Sequence, residues 1–403
     1  MTSNTETFSP LRAGMARGAL AIRGGEDSAF FTLLNMADER ENVIRLGRGE
    51  PDRPTPKHIV DAAIDALNSG KTTYTNPAGL PELRQAISRK FRIDNDLDYD
   101  PMGEIIVTSG AQEAMVVALQ TLLDPGDEVI IASPHYMAYP SNILLAGGKP
   151  ILVPTYEDQG FELLPEAIEE RITERTKLVV LVSPNNPTAG VLTKETMEGI
   201  ARVIEKHDLL AISDELYEKI VYDGFEPVSF ATLPGMRERT ITINGFSKAY
   251  SMTGFRVGYM AGPRDYIKSA LEPRHSLTIC AATPSQYAAL AALEGPDDFL
   301  VDMLAEYSSR RQTMAAAFDR MGVKYSPPLG GFYFFANIKE AGLTAYDFCV
   351  KALVDHGLLF TPGSLFGDAG EGFIRIGYLA PESELIEALE RFESLWNDLV
   401  SSR

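Results

Sequence analysis

From Ile59 onward the hydrophobic positions follow two alternating rhythms. Stretches with apolar residues three and four apart predict amphipathic helices at Ile59–Asn68, Pro81–Phe91, Ala111–Leu123, Tyr139–Ala146 and Lys194–His207. Between them, short runs rich in β-branched residues predict strands at Glu104–Thr108, Glu128–Ala132, Pro150–Val153, Lys177–Ser183, Leu209–Ser213 and Thr240–Asn244. The run beginning at Lys177 is apolar almost throughout, the pattern of a strand buried on both faces of a parallel sheet. Strand–helix alternation of this kind predicts an α/β architecture, with ligands at the carboxyl ends of the strands.

After Pro284 the texture changes. Helical stretches at Ser285–Leu293 and Phe299–Met321 precede shorter segments at Gly331–Asn337, Tyr346–His356, Phe373–Gly377 and Glu382–Leu399. These predict a smaller α+β domain completed by the N-terminal stretch. The 403 residues exceed what one core usually holds. The expected division is an N-terminal arm and part of the small domain over 1–50, a large domain over 51–295, and a C-terminal small domain over 296–403.

Charge narrows the choice of partners. With 37 basic and 56 acidic side chains the net charge is −19, which argues against nucleic acid and anionic membranes. A locally positive pocket for an anionic cofactor remains compatible with it. The two cysteines, Cys280 and Cys349, lack metal-site or disulfide spacing and read as reduced thiols. The opening residues Met1 to Arg12 have no apolar signal core, and no run reaches membrane-spanning length. A cytoplasmic protein without a metal site is expected.

Several polar residues fall at predicted strand ends, where active sites concentrate. Lys248 lies between the strand Thr240–Asn244 and a second one, Arg256–Met260; withdrawn from water, its amine can form a Schiff base. Ser109-Gly-Ala-Gln-Glu113 opens a helix, whose N–H groups suit an anion. Tyr136 offers a ring to stack on a heterocycle, and Ser183-Pro-Asn-Asn-Pro-Thr188 aims an amide inward. Asp214 and Tyr217 place a carboxylate and a phenol together. Arg256 offers a fork for phosphate. Arg375, inside an apolar strand without an acidic neighbour in sequence, reads as a carboxylate receptor.

In this order the motifs Asn-Asn-Pro-Thr, Ser-Asp-Glu-x-Tyr and Ser-Lys-x-x-x-Met-Thr-Gly-x-Arg resemble the class I/II aminotransferases. These are fold-type-I enzymes that use pyridoxal 5'-phosphate (PLP); the look is nearest to the bacterial aspartate aminotransferase-like branch. The resemblance spans Leu46-Gly-Arg-Gly-Glu-Pro-Asp52 to Arg375. It implies a large domain with a mostly parallel central sheet flanked by helices, and a homodimer with shared active sites. Lys248 would hold the cofactor covalently and then act as a base at Cα. Asp214 would pair with the ring nitrogen, Tyr217 and Asn186 with the ring hydroxyl, and Tyr136 would stack on the ring. Gly110, Ala111, Gln112, Ser247 and Arg256 would bind the phosphate, joined by Tyr74 from the neighbouring subunit. Arg375 would bind the substrate carboxylate, with Gly49 and Phe332 lining the pocket.

Three positions depart from that pattern: Gly245 where many relatives carry serine, Ala189 where glycine is usual, and Gln112 where some aspartate-using relatives have lysine. The expected reaction is ping-pong transfer of an amino group from an L-amino acid to a 2-oxo acid through pyridoxamine phosphate. The same residues also serve β-eliminating lyases and amino-acid oxidases, and, farther off, amino-acid-sensing regulators. Arg48, beside Gly49, is expected to favour a carboxylate-bearing donor. Arg274 and His275 are candidates to approach the shared site, and Phe30–Met36 reads as an apolar lid or a docking arm.

Overall fold

The computed structural model describes residues 29–400. Its centre is a seven-stranded sheet. In chain order the strands are β1 (Ile105–Thr108), β2 (Glu128–Ser133), β3 (Lys149–Pro154), β4 (Thr176–Val182), β5 (Leu210–Asp214), β6 (Thr240–Gly245) and β7 (Gly258–Ala261). In space the order is β1-β7-β6-β5-β4-β2-β3. Strands β6, β5, β4, β2 and β3 run parallel, while β7 is antiparallel to both β6 and β1. The sheet is thus mostly parallel and covered by helices, as its continuously apolar strands require.

A second, four-stranded antiparallel sheet is built from β8 (Lys324–Tyr325), β9 (Tyr333–Asn337), β10 (Thr361–Pro362) and β11 (Phe373–Gly377), in the order β10-β11-β9-β8. Its core gathers Phe318, Phe334, Ile374, Phe392 and Trp396, and also Ile44 and Leu46 from the N-terminal side. Ile44–Arg45 pairs in parallel with Leu358–Leu359, and Gly377 N–H reaches Leu46 O at 2.6 Å. Tyr217, Ile220 and Tyr222, from the loop after β5, join this same core. That loop ties the large sheet to the small one.

The helices that matter to the site are α1 (Ala29–Asp38), α2 (Ala111–Leu122) and α3 (Arg264–Thr278). Helix α1 covers the predicted apolar segment and buries Leu33 against the small-sheet core. Helix α3 is absent from the hydrophobic reading because Pro273 lies inside it; a proline there removes one helical hydrogen bond. Arg274 then turns its fully buried guanidinium onto Val107 O at 3.0 Å and onto Ile279 O. Neither Arg274, braced against β1, nor the exposed His275 reaches a cavity that holds Lys248. Strand β7 starts at Gly258 rather than at Arg256, because Arg256 takes a left-handed backbone with φ 51°.

Strand β7 passes hard against the start of α2. A Cβ on Gly258 would stand 2.7 Å from Ala111 N and 2.8 Å from Gly110 C, both backbone atoms that cannot swing aside. Gly258→Ala is therefore expected to lower unfolding stability by about 1–3 kcal/mol, measured by urea denaturation. An unchanged denaturation midpoint would show that α2 can shift freely.

Candidate active site

Strands β1, β2, β4, β5 and β6 all end at one cavity of about 360 Å³. β1 delivers Ala111 and Gln112, β2 Tyr136, β4 Asn186, β5 Asp214 and Tyr217, and β6 Ser247 and Lys248; Arg256 and the segment Arg48–Glu50 complete the wall. A second cavity of about 320 Å³ adjoins it, lined by Leu33, Leu34, Tyr333, Phe360, Thr361 and Arg375. The two share Arg48, Gly49, Tyr136, Asn186 and Lys248. Lys248 stands at their junction.

The Lys248 amine donates to Gly49 O at 2.5 Å and lies 5.9 Å from the ring centres of both Tyr217 and Phe332. Burial, reinforced by the positive charges of Arg375 and Arg256, lowers its pKa to about 8, while Glu50 and Asp214 pull the other way. The neutral, nucleophilic form is therefore far more populated near physiological pH than for an ordinary lysine, though still the minor one below about pH 8.

Asp214 accepts from the Tyr139 hydroxyl at 2.7 Å and from Leu216 N–H at 3.2 Å. Burial raises its pKa despite the charge of Lys248, and no cation forms an ion pair with it among the described residues. A protonated ring nitrogen fits that need. At the other end of the cavity, Gly110 caps α2 with φ 85°, and a Cβ there would sit 2.8 Å from Arg256 Nη2. The guanidinium thus lies against a helix N-terminus, and no carboxylate pairs with it among the described residues. Two sources of positive potential converge there, which fits a phosphate. The residues present suit a phosphorylated pyridine.

Arg375 is 5% exposed and has no carboxylate partner among the described residues. Its Nη1 donates to Asn186 Oδ1 at 2.8 Å and its Nη2 to Gly47 O at 2.9 Å; its Nε has no acceptor among the described residues. The guanidinium lies 4.5 Å from the Tyr333 ring centre. Strand pairing explains this neighbour: Arg375 lies opposite Phe335, and Tyr333 opposite Gly377, so Tyr333 and Arg375 share a face.

The placement of the expected residues is uneven. Tyr136 lines both cavities and meets Tyr139 edge to face at 5.4 Å. Gln112 lines the first cavity and bonds Asn142 at 3.2 Å. Gly49 leaves room for the Tyr333 hydroxyl, which a Cβ would meet at 2.8 Å. Phe332 is fully buried behind Tyr217 at 5.4 Å and 5.9 Å from the Lys248 amine, while the next residue, Tyr333, lines the second cavity, as the side-chain period of two dictates. Tyr74 is 77% exposed and lines neither cavity of this chain. Gly245 has its own structural reason, since a Cβ there would approach Gly258 Cα at 3.2 Å.

Tyr139 and Tyr333 are contacts absent from the sequence reading; Tyr333 also meets the Tyr217 hydroxyl at 3.2 Å. Tyr139 had a signal, lying one helical turn beyond Tyr136. Tyr333 had none apart from strand alternation.

Comparison with known proteins follows the same line. A family model for aminotransferase class I and II matches residues 41–392. The chain is 42% identical over 365 residues to an aspartate aminotransferase of Pyrococcus abyssi, covering 90% of this chain and 94% of that one. It is 40% identical over 365 residues, with the same coverage, to aromatic-amino-acid aminotransferase 2 of Thermococcus litoralis. The aspartate aminotransferase of Thermus thermophilus, solved with maleate, superposes with TM-score 0.89 at 38% identity, covering 95% of this chain and 99% of that one. The chain belongs to the class I and II aminotransferases and is a pyridoxal-phosphate-dependent aminotransferase.

Proposed function

We propose that Lys248 carries the cofactor and exchanges the Cα proton, and that Arg375 holds the donor's α-carboxylate. The observation that carries this reading is the place of the Lys248 amine, at the junction between a cavity ending in Asp214 and one ending in Arg375. When bound, PLP supplies an electron sink that makes the Cα–H acidic. Asp214 would keep the ring nitrogen protonated. Tyr217 and the Asn186 amide nitrogen, whose oxygen Arg375 occupies, would donate to the ring hydroxyl. The α2 start at Gly110, Ala111 and Gln112, with Ser247 and Arg256, would anchor the phosphate; Tyr136 would face the ring.

The donors on this reading are dicarboxylic and aromatic L-amino acids. Leu33, Leu34 and Phe360 supply apolar wall near Arg375, and Arg48, exposed at the rim of both cavities, has no ion-pair partner among the described residues. Relatives named for aspartate and for aromatic amino acids support the two classes, and the dicarboxylate maleate with the Thermus enzyme supports the first. Exposed Tyr74 would reach the phosphate of a second copy, giving a homodimer with shared sites. The proposed division keeps 51–295 as the cofactor-binding domain and assigns 296–403, with part of 1–50, to the small domain. A cytoplasmic location accords with unpaired Cys280 and Cys349.

Two outcomes are expected. Arg375→Leu should lower kcat/KM for every donor by roughly 100-fold or more, the scale of losing one partner of a buried charge pair. Arg48→Leu should lower it by about two- to fivefold for glutamate and aspartate only. Equal losses on tyrosine or phenylalanine in the Arg48 variant would remove Arg48 from specificity.

Protonation of Lys248 sets a pH dependence. Its folded pKa of about 8 lies below the ordinary 10.5. In the cofactor-free protein, the rate of covalent PLP uptake should therefore rise with pH and level off above about 8. The same depressed value means that the buried ammonium disfavours folding below pH 8, a penalty relieved as pH rises from there. A flat uptake rate between pH 6 and 9 would contradict the burial of this amine.

A further inference from the structure

Strand β5 ends in Ser213-Asp214; Asp214 lines the cavity, while Ser213 and Glu215, the residue just past the strand, bond each other away from it. Glu215 is 4% exposed. Its carboxyl accepts from Ser213 Oγ at 2.8 Å, from Ser229 Oγ at 2.8 and 2.9 Å, and from Phe230 N–H at 3.3 Å. Its own N–H donates to Ile243 O at 2.9 Å, so it also closes the ladder onto β6.

None of these partners is a cation. The nearby ammonium of Lys90 is taken by Glu218, whose carboxylate also accepts from Asn95 at 2.6 Å and Asn244 at 2.7 Å. Beyond Glu218, Lys219 pairs with Asp94 at 2.8 Å. Tyr99 and Tyr259 face Glu215 from the neighbouring elements; Arg237 lies 4.1 Å over the Tyr99 ring and pairs with Glu104 at 2.9 Å. A carboxyl buried this way is costly. Glu215 lines neither cavity that holds Lys248.

We propose that Glu215 is a positioning residue: by tying the turn after β5 to the Ser229–Phe230 segment, it sets the direction in which Asp214 presents its carboxylate to the cofactor. The proposal rests on reading Asp214 as the partner of the ring nitrogen. Three donors, the Ser213 and Ser229 hydroxyls and the Phe230 amide, hold the ionised carboxylate, whereas the protonated form must donate back to a serine. Burial, with the charge of Glu218 added, lifts the Glu215 pKa from 4.5 to about 7, so both forms occur in the working range. A raised acid pKa contributes stability that is full below about 4.5 and lost as pH rises through about 7.

The test compares cofactor-loaded wild type, Glu215→Gln, Glu215→Ala and Asp214→Asn by kcat, KM and pH titration of the bound cofactor's absorption band. The melting temperature of each cofactor-free protein is followed from pH 5 to pH 8. Glu215→Ala should lower kcat by roughly 10- to 100-fold, the scale of a misplaced reacting group. Its KM should change less than about twofold, and its band midpoint should move as it does in Asp214→Asn. Glu215→Gln keeps the neutral shape, so its kcat and band should match wild type at pH 6. Its melting temperature should gain on wild type as pH rises. If Glu215→Ala does not fold, Glu215→Asp, one methylene short of Ser229, replaces it with the same expectation. A lowered melting temperature with unchanged kcat and band in the alanine or aspartate variant overturns the proposal, as a merely structural role. If Asp214→Asn leaves the band unmoved, the Asp214 reading itself falls and takes this one with it. If only Asp214→Asn moves it, the Asp214 reading stands and the role of Glu215 is refuted.

Discussion

Positive charge held without paired carboxylates among the described residues is the constraint around which this molecule is arranged. Arg375 is buried on hydrogen bonds to an amide and a carbonyl, Arg256 lies against a helix N-terminus, and the Lys248 amine rests on a carbonyl. A buried cation without a carboxylate, Arg375 above all, costs free energy that packing elsewhere must offset. On a chain of net charge −19 these groups create a local field of opposite sign, which draws anionic ligands to one spot. On the proposed reading, cofactor phosphate and substrate carboxylate would supply the missing counter-charges, so that binding relieves what folding leaves strained.

Backbone detail makes that arrangement possible. Gly110 and Gly258 let β7, the start of α2 and the Arg256 guanidinium approach more closely than any side chain allows. Arg256 takes a left-handed backbone at φ 51°, a conformation costly for a residue with a Cβ. The loop after β5 carries Tyr217 and Tyr222 into the core of the small sheet, where Tyr222 and Tyr378 both bond Gly331 O. Asp214 at one end of this loop and Arg375 on the small sheet are thereby held in one frame.

How much of this was legible in the sequence depends on the range of the interaction. Strands with continuous apolar runs, such as Thr176–Val182, appear within a residue of the expected bounds, because burial on both faces leaves no polar alternative. Lys248, Asp214, Tyr136 and Asn186 meet at one cavity because strand ends in a parallel sheet share an edge. The helix Arg264–Thr278 was hidden by Pro273, whose local preference is overridden by packing and by the Arg274 bond to β1. Tyr333 lines the second cavity and Phe332 does not, since strand phase is fixed by pairing with β11 rather than by composition. The hold of Glu215 on Ser229 joins residues across a loop, a contact that periodicity does not encode.

The most direct measurement is the absorbance of the purified, cofactor-loaded protein on addition of a single amino acid with no 2-oxo acid present. Glutamate, aspartate or an aromatic amino acid should abolish the band of the bound cofactor, and adding a 2-oxo acid should restore it. Lys248→Ala should show no such band before addition. Release of pyruvate and ammonia with the band retained, or an unchanged band in the Lys248 variant, would contradict amino-group transfer through Lys248.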